Sequence, residues 1–229
     1  HSSTFRQPLP TELAADLALG YTYASGAYHP EPVQYTQLPP AVSMSTTASD
    51  MAKFMIAHLQ NGLYEDARIL QDSTAQQMHR QLFTHDPRVS GWAYGFMEMS
   101  LNNQRMIWHA GTWAPQFYTL LVLLPEHNVG LFVSYNSAGG ADARYALLQA
   151  FLDRYYPAPA SAVPQPLADF QQRANQFTGS YRMTSSAYTT FAKLINLFAP
   201  VDVTANPDGT LLITGLGAPT RWVEVEPLV

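Results

Sequence analysis

The stretch RMIWHAGTWAPQFYTLLVLLPEHNVGLFVSYNSAGG, residues 105–140, decides how this chain is read. It opens as a strand that ends in His109-Ala110-Gly111-Thr112. The runs QFYTLLVLL (116–124) and VGLFVSYN (129–136) then flank Pro-Glu-His-Asn, a hairpin turn. Both runs are nearly continuous in apolar residues, which predicts strands buried on both faces under covering helices. After a glycine break, GGADARYALLQAFLDRYY (139–156) predicts a helix. Its expected core face is Ala143, Ala146, Leu147, Ala150 and Phe151.

Upstream, GWAYGFMEMS (91–100) and NQRMIWHAG (103–111) read as two strands around a turn at Asn102-Asn103. MSTTASDMAKFMIAHLQNG (44–62) carries the best helical pattern: Met51, Phe54, Met55, His58 and Leu59 recur at helical spacing. Thr47 caps it, with Asp50 three residues on as a carboxylate version of the capping box, and Gly62 suits its C-terminal end. A shorter helix is expected in DSTAQQMHRQLF (72–83). The first 40 residues are rich in Tyr, Pro and Gly, and their prolines forbid a long helix. They read as an extended excursion with aromatic anchors.

Downstream, PAPASAVPQP (157–166) reads as a semi-rigid linker. FTGSYRM, VDVTANPDGTLLIT and TRWVEVEPL follow as short strand-like runs, with an Asp208-Gly209 turn. YTTFAKLINLF (188–198) fits either a strand or a helix. The expected organisation is one α/β domain of α+β type over 1–156, an antiparallel sheet covered by helices. A linker follows over 157–169, then a small β-rich module over 170–229 that reads as cut short.

The chain has 229 residues, of which 47% are hydrophobic and 13% charged. That composition supports a sizeable core and excludes wholesale disorder. A net charge of -5 without a basic stripe argues against nucleic acid as a partner. With no cysteine, disulfides, thiol catalysis and thiolate metal sites are excluded. No apolar run reaches the roughly 20 residues of a membrane span. The first residues lack an initiator methionine and a signal-peptide pattern, and both ends read as cuts through a longer protein.

Chemistry-bearing residues are few. There is no Gly-x-Ser-x-Gly elbow. Lysine occurs only at Lys53 and Lys193, each without a serine three residues before it, so Ser-x-x-Lys is absent. The seven histidines show neither His-x-His nor His-Glu-x-x-His spacing, so no metal and no cofactor is expected. His58, on an apolar helix face, reads as a hydrogen-bonded core histidine. His109-Ala110-Gly111-Thr112 fits two readings. Gly111 could serve a bulge while His109 bonds a loop. Alternatively, Gly111 could let a ligand approach the strand edge, with the following N–H aimed at a substrate oxygen.

The order of these elements resembles the second half of the serine β-lactamase-like hydrolases, the group of class C β-lactamases, penicillin-binding D-Ala-D-Ala carboxypeptidases and related esterases. LGYTY followed by PPAVSMSTTASDMAKFMIAHLQNG is similar to that family's Pro-Ala-Gly-Gly-x-x-Ser-Thr-x-x-Asp-Met helix start, with Ala41-Val42-Ser43 where small residues are usual. WAYGFMEM resembles its Gly-Tyr-Gly-Phe strand. WHAGTWAPQFYTLLVLLPEHNVGLFVSYN resembles the strand of its third motif, Lys-Thr-Gly or His-x-Gly, and the hairpin after it. The resemblance covers most of 1–156; the tail from about Phe170 resembles small β-rich appendages of such hydrolases.

The resemblance implies an exported enzyme that forms an acyl-enzyme on a small-molecule or peptide substrate. It implies that His109 orients the catalytic hydrogen bonds and meets the polar end of the substrate. Gly111 would permit close approach, and the Thr112 N–H would be one oxyanion donor. Trp113 and Gln116 would line the cleft. Ala110 stands where a threonine hydroxyl is common, which removes a contact to a substrate carboxylate and favours ester or peptide cleavage over β-lactam hydrolysis. The family's Ser-x-x-Lys and Tyr-x-Asn lie upstream of everything matched, and Ser134-Tyr135-Asn136 does not replace them. The chain is therefore expected to be inactive alone and, with a sheet edge bare, to self-associate. The competing expectation is a non-catalytic module that holds a peptide or protein partner in the same cleft. A lipocalin-like binder rests only on the last 60 residues and ranks lower.

Overall fold

The computed structural model describes residues 2–113, 115–159, 164–183, 189–191, 193–194, 200–215 and 219–228. The chain forms two compact units, His1–Pro159 and Ala160–Val229.

The first unit runs α1 (Thr11–Ala14), β1 (Tyr21–Ala24), β2 (Ala27–Pro30), α2 (Pro39–Val42), α3 (Ala48–Leu59), β3 (Leu63–Tyr64), β4 (Ala67–Arg68), α4 (Asp72–His79), β5 (Met97–Leu101), β6 (Gln104–Trp113), β7 (Phe117–Leu124), β8 (Val129–Tyr135) and α5 (Gly140–Tyr155). Its main sheet has the order β5-β6-β7-β8, antiparallel throughout. This is the expected α+β architecture of a helix-covered antiparallel sheet.

Local chemistry explains the turns. Asn102 and Asn103 both take left-handed φ, 51° and 59°, which a tight β5–β6 hairpin requires and asparagine tolerates. Asn128, φ 53°, ends the Pro125–His127 turn into β8 in the same way. At the head of α3 the Thr47 hydroxyl accepts from Asp50 N at 3.2 Å. The Asp50 carboxylate instead accepts from Ser2 N, the Ser3 hydroxyl and Lys53, so the capping box is made on one side.

Each face of the sheet has its own core. Met55 of α3 meets Phe96, Ile107, Leu121 and Leu123 on one face. Leu148 and Leu152 of α5 meet Met106, Leu120, Val122 and Leu124 on the other. Full burial of each such side chain contributes about 1.5–3 kcal/mol relative to exposure. β7, in the middle, is buried almost throughout, as its apolar run requires. β8 differs from the expectation: it is only half-buried, because it is the last strand of the sheet.

The buried stripe of α5 departs in part from the sequence reading, although Phe151 packs against the core as expected. The stripe is Gly140, Arg144, Leu148 and Leu152, while Leu147 stays exposed. Alanines on both sides of the helix make its apolar periodicity ambiguous, and the two leucines that meet β7 settle the rotation. This places a charged residue in the core face.

The first residues hold more structure than expected. β1 and β2 form a hairpin through Ser25 and Gly26, both with positive φ, and Tyr23 packs on Tyr28 at 5.0 Å. In the second unit α6 (Phe170–Arg173) precedes β9 (Gly179–Tyr181), β10 (Val201–Ala205), β11 (Thr210–Thr214) and β12 (Thr220–Val223). These strands form one antiparallel sheet, β12-β11-β10-β9, with Gly209 at the β10–β11 turn. Arg173 bridges Asp169 and the buried Glu224. Most of the ambiguous 188–198 segment lies outside the described residues.

Candidate functional site

The site is built on the last five residues of β6, His109 to Trp113. β5 stops short of them: Met97, its first residue, stands opposite Trp108. On that side His109–Trp113 has no neighbouring strand among the described residues.

Which backbone groups face this open edge follows from the ladder. In an antiparallel pair, alternate residues turn both N–H and C=O toward the same neighbour. Arg144 Nη1 donates to Gly111 O at 2.8 Å and to Thr119 O at 3.0 Å. One nitrogen can touch both carbonyls only if Gly111 and its partner Thr119 turn them toward each other. Gly111 is therefore bonded to β7, and Ala110 and Thr112 point the opposite way. A second observation agrees. Glu98 N donates to Gly91 O at 2.9 Å, away from β6, so its partner Ile107 also faces β7. The N–H and C=O of Ala110 and of Thr112 thus project into the open edge, and no backbone hydrogen bond takes them up among the described residues.

The side chains divide between the faces. His109, exposed, lies on the Ile107 and α3 face. Thr112 lies on the α5 face, its hydroxyl 3.3 Å from Arg144 Nη1. The two residues expected to act together present side chains to opposite faces; the Thr112 amide lies between them, in the sheet plane. Gly111 is approached by its own sheet, because a Cβ there would overlap the Thr119 hydroxyl.

Past the strand, Gln116 N donates to Trp113 O at 2.8 Å and closes the turn into β7. Gln116 is only 2% exposed. It packs on Gly20, where a Cβ would overlap it, and its Nε2 donates to Pro32 O at 3.1 Å. It fastens the Tyr/Pro-rich excursion to the sheet. Between them lies a cavity of about 170 Å³, lined among others by Trp113, Gln116, Phe117, Leu19, Tyr35 and Gln7. Gln7 Oε1 accepts from Thr36 N at 2.8 Å, which fixes the amide's orientation, and its buried Nε2 has no partner among the described residues.

Arg144 is the site residue that the sequence reading missed. It is 8% exposed, its Nε is unpartnered, and no carboxylate lies within salt-bridge distance among the described residues. Its guanidinium lies over the rings of Tyr145, at 4.9 Å, and Tyr118, at 5.6 Å. The available signal was an arginine in the i, i+4 row Gly140, Arg144, Leu148, Leu152. No group of three or more potential metal ligands occurs among the described residues. Nor is any helix there long and apolar enough to cross a membrane.

The beta-lactamase family model matches residues 4–154, two thirds of the sequence and nearly all of the first unit. The chain belongs to the beta-lactamase family. A solved structure described as "Crystal structure of SurE" is similar over 87% of this chain and 43% of its own, at 18% identity and a TM-score of 0.51. One described as "Crystal structure of SurE with D-Leu" matches over 81% and 42%, at 17% identity and a TM-score of 0.47. At 18% identity the first likeness concerns the fold alone. The chain spans less than half the length of either structure. No curated protein matches it.

Proposed function

We propose that the first unit supplies one wall of an acyl-transfer site that acts on an amide or ester through a serine acyl-enzyme. The observation that carries this is the open edge of β6, with the Ala110 and Thr112 N–H groups directed into it. An extended substrate can add to that edge as a further strand, and the Thr112 amide is a fixed donor for a tetrahedral oxyanion. His109, exposed on the adjoining face, meets the substrate's polar end and orders the surrounding hydrogen bonds. Gly111 keeps the strand tight against Thr119, and Ala110, which packs against the core on the α5 face, offers no hydroxyl to bind a carboxylate. The reading therefore favours esters or peptides over β-lactams.

This chain carries no Ser-x-x-Lys and no Tyr-x-Asn on the wall, and a serine hydroxyl needs a neighbouring base to attack. The attacking group must come from sequence outside the chain, and the chain alone is inactive. A fluorescent penicillin and a fluorophosphonate test this directly. Neither labels the chain alone. Either one labels a longer protein in which a Ser-x-x-Lys segment precedes it, and His109→Ala slows that labelling by about tenfold or more. Labelling of the chain alone would overturn the reading. The absence of a nucleophile also favours a second reading, a module that binds an extended peptide along β6 without cleaving it. Amide shift changes at Ala110 and Thr112 on titration with a peptide, with no turnover by the longer protein, would favour it.

A further inference from the structure

We infer that Arg144 is a positioning residue that acts through the peptide bond between Gly111 and Thr112, making the Thr112 N–H a stronger hydrogen-bond donor. The inference rests on Thr112 N–H as the oxyanion donor of the proposed reaction.

The argument begins with a cost. A buried guanidinium is normally paired with a carboxylate, because desolvating an uncompensated charge is expensive. Arg144 has carbonyl oxygens, one hydroxyl and two aromatic rings around it instead. Packing alone does not call for an arginine here: leucine continues the row at Leu148 and Leu152. The charge has a specific address. The carbonyl of Gly111 and the N–H of Thr112 belong to one trans peptide unit and point in opposite directions. A cation on the carbonyl oxygen draws electron density through the C–N bond and leaves the amide hydrogen more positive. That hydrogen projects into the open edge of β6, on the far side of the peptide from Arg144. The same nitrogen holds Thr119 O, so the guanidinium also locks the register that aims the amide.

Ala110 provides an internal control. Its amide faces the same edge, but the carbonyl of its peptide unit, that of His109, receives no bond from Arg144. Polarisation predicts a faster Thr112 amide already in the unaltered chain and its retention in Arg144→Lys, which a loosened register does not.

The test is amide exchange by NMR on the chain as it stands. Base-catalysed exchange removes the amide proton, so a nearby cation accelerates it. After correction for neighbouring side chains, Thr112 is expected to exchange about tenfold faster than Ala110 in the unaltered chain. Arg144→Gln and Arg144→Met bring the ratio toward one, and the Gly111 carbonyl shift moves with it; Arg144→Lys retains most of the difference. Equal exchange of the two amides in the unaltered chain overturns the inference, and that measurement needs no variant. So does a ratio unchanged in a folded Arg144→Gln. These outcomes do not depend on hydrolysis. If a longer protein bearing Ser-x-x-Lys is never acylated, the hydrolase reading fails while the amide result stands. If it is acylated and Arg144→Gln leaves the acylation rate constant unchanged, the positioning role fails while the hydrolase reading survives.

Discussion

His58 Nδ1 lies 3.0 Å from His79 Nε2 inside the first unit, joining α3 to α4 through a hydrogen bond between two imidazoles. Phe96 packs edge-on to both rings and Phe54 packs on His58. His58 is only 2% exposed. In such a bond one ring donates its N–H and the other accepts, which requires at least one neutral imidazole. Burial, and then the charge of its partner, lowers the His58 pKa to about 4. Burial, and then the Arg105 guanidinium, lowers that of His79.

The sign of the pH dependence follows. The unfolded chain binds protons at these histidines from near pH 6.5, while the folded chain resists until about pH 4 at His58. The pair's contribution is therefore complete above pH 6.5 and is lost as pH falls toward 4, the His58 shift alone being worth on the order of 3 kcal/mol. Thermal unfolding followed by circular dichroism between pH 4.5 and 8 should show the melting temperature falling on the acid side. His58→Phe should flatten that slope. An equal slope in the variant would assign the acid sensitivity elsewhere.

Glu98 and Arg105 form the adjoining ion pair across β5 and β6. The Glu98 carboxylate also accepts from Gln81 Nε2 and from Gly91 N at 3.1 Å, and Arg105 Nη2 reaches His79 O at 2.7 Å. Burial pushes the Glu98 pKa up, but the Arg105, Gln81 and Gly91 hydrogen bonds prevail and leave it below its ordinary value. Arg105→Met strands a nearly buried carboxylate and should cost about 2–4 kcal/mol at pH 7, measured by urea unfolding. The loss should shrink as pH falls, because the stranded carboxyl, pushed up by burial once Arg105 is gone, takes up a proton. A cost independent of pH would show that lost packing, not lost charge, is responsible.

What the sequence revealed and what it hid separate along physical lines. The hairpin turns at Asn102-Asn103 and Asn128 and the Thr47 cap are local, so short windows contain their causes. The run 117–124 is apolar enough to read as a doubly covered strand without knowing what covers it. The rotation of α5 was hidden because Ala143, Ala146 and Ala150 satisfy one face and Leu148 and Leu152 another. Only contact with β7 decides between them. Arg144 was hidden with it: its partners, Gly111 O and Thr119 O, are backbone atoms 33 and 25 residues away. The direction of the Thr112 amide is likewise a property of the ladder, invisible until register is known. The Ser25-Gly26 turn was legible in principle, but the many prolines around it argued against regular structure.

Gly111 and Thr119 supply a test of why a glycine stands at the edge of the site. Gly111→Ala would drive a methyl into the Thr119 hydroxyl and should cost about 1–3 kcal/mol. In a Thr119→Ala background the obstructing oxygen is gone, and the same substitution should cost less than half as much. A double-mutant cycle by denaturant unfolding reads the coupling directly. Additive effects would mean that the glycine answers to something other than Thr119, such as the approach of a ligand from outside the sheet.

The opposite edge of the sheet makes a separate prediction. Asn136 accepts from Tyr21 N at 2.8 Å with a carbonyl that faces away from β7. By the same alternation Ser134, Phe132 and Gly130 also turn their N–H and C=O outward, and no backbone bond meets them among the described residues. β8 is thus an apolar strand with an unpaired side, the kind of edge on which another strand adds. The chain should self-associate through it as concentration rises. Ser134→Pro removes one outward N–H without touching the ladder to β7, and Ser134 is exposed, so the ring meets no core. Sedimentation velocity should show a concentration-dependent species that Ser134→Pro abolishes and Ser134→Ala leaves in place, at a stability cost of about 1 kcal/mol or less for the proline. A chain that remains monomeric throughout, or a proline variant that associates like its parent, would show that this edge is protected in some other way.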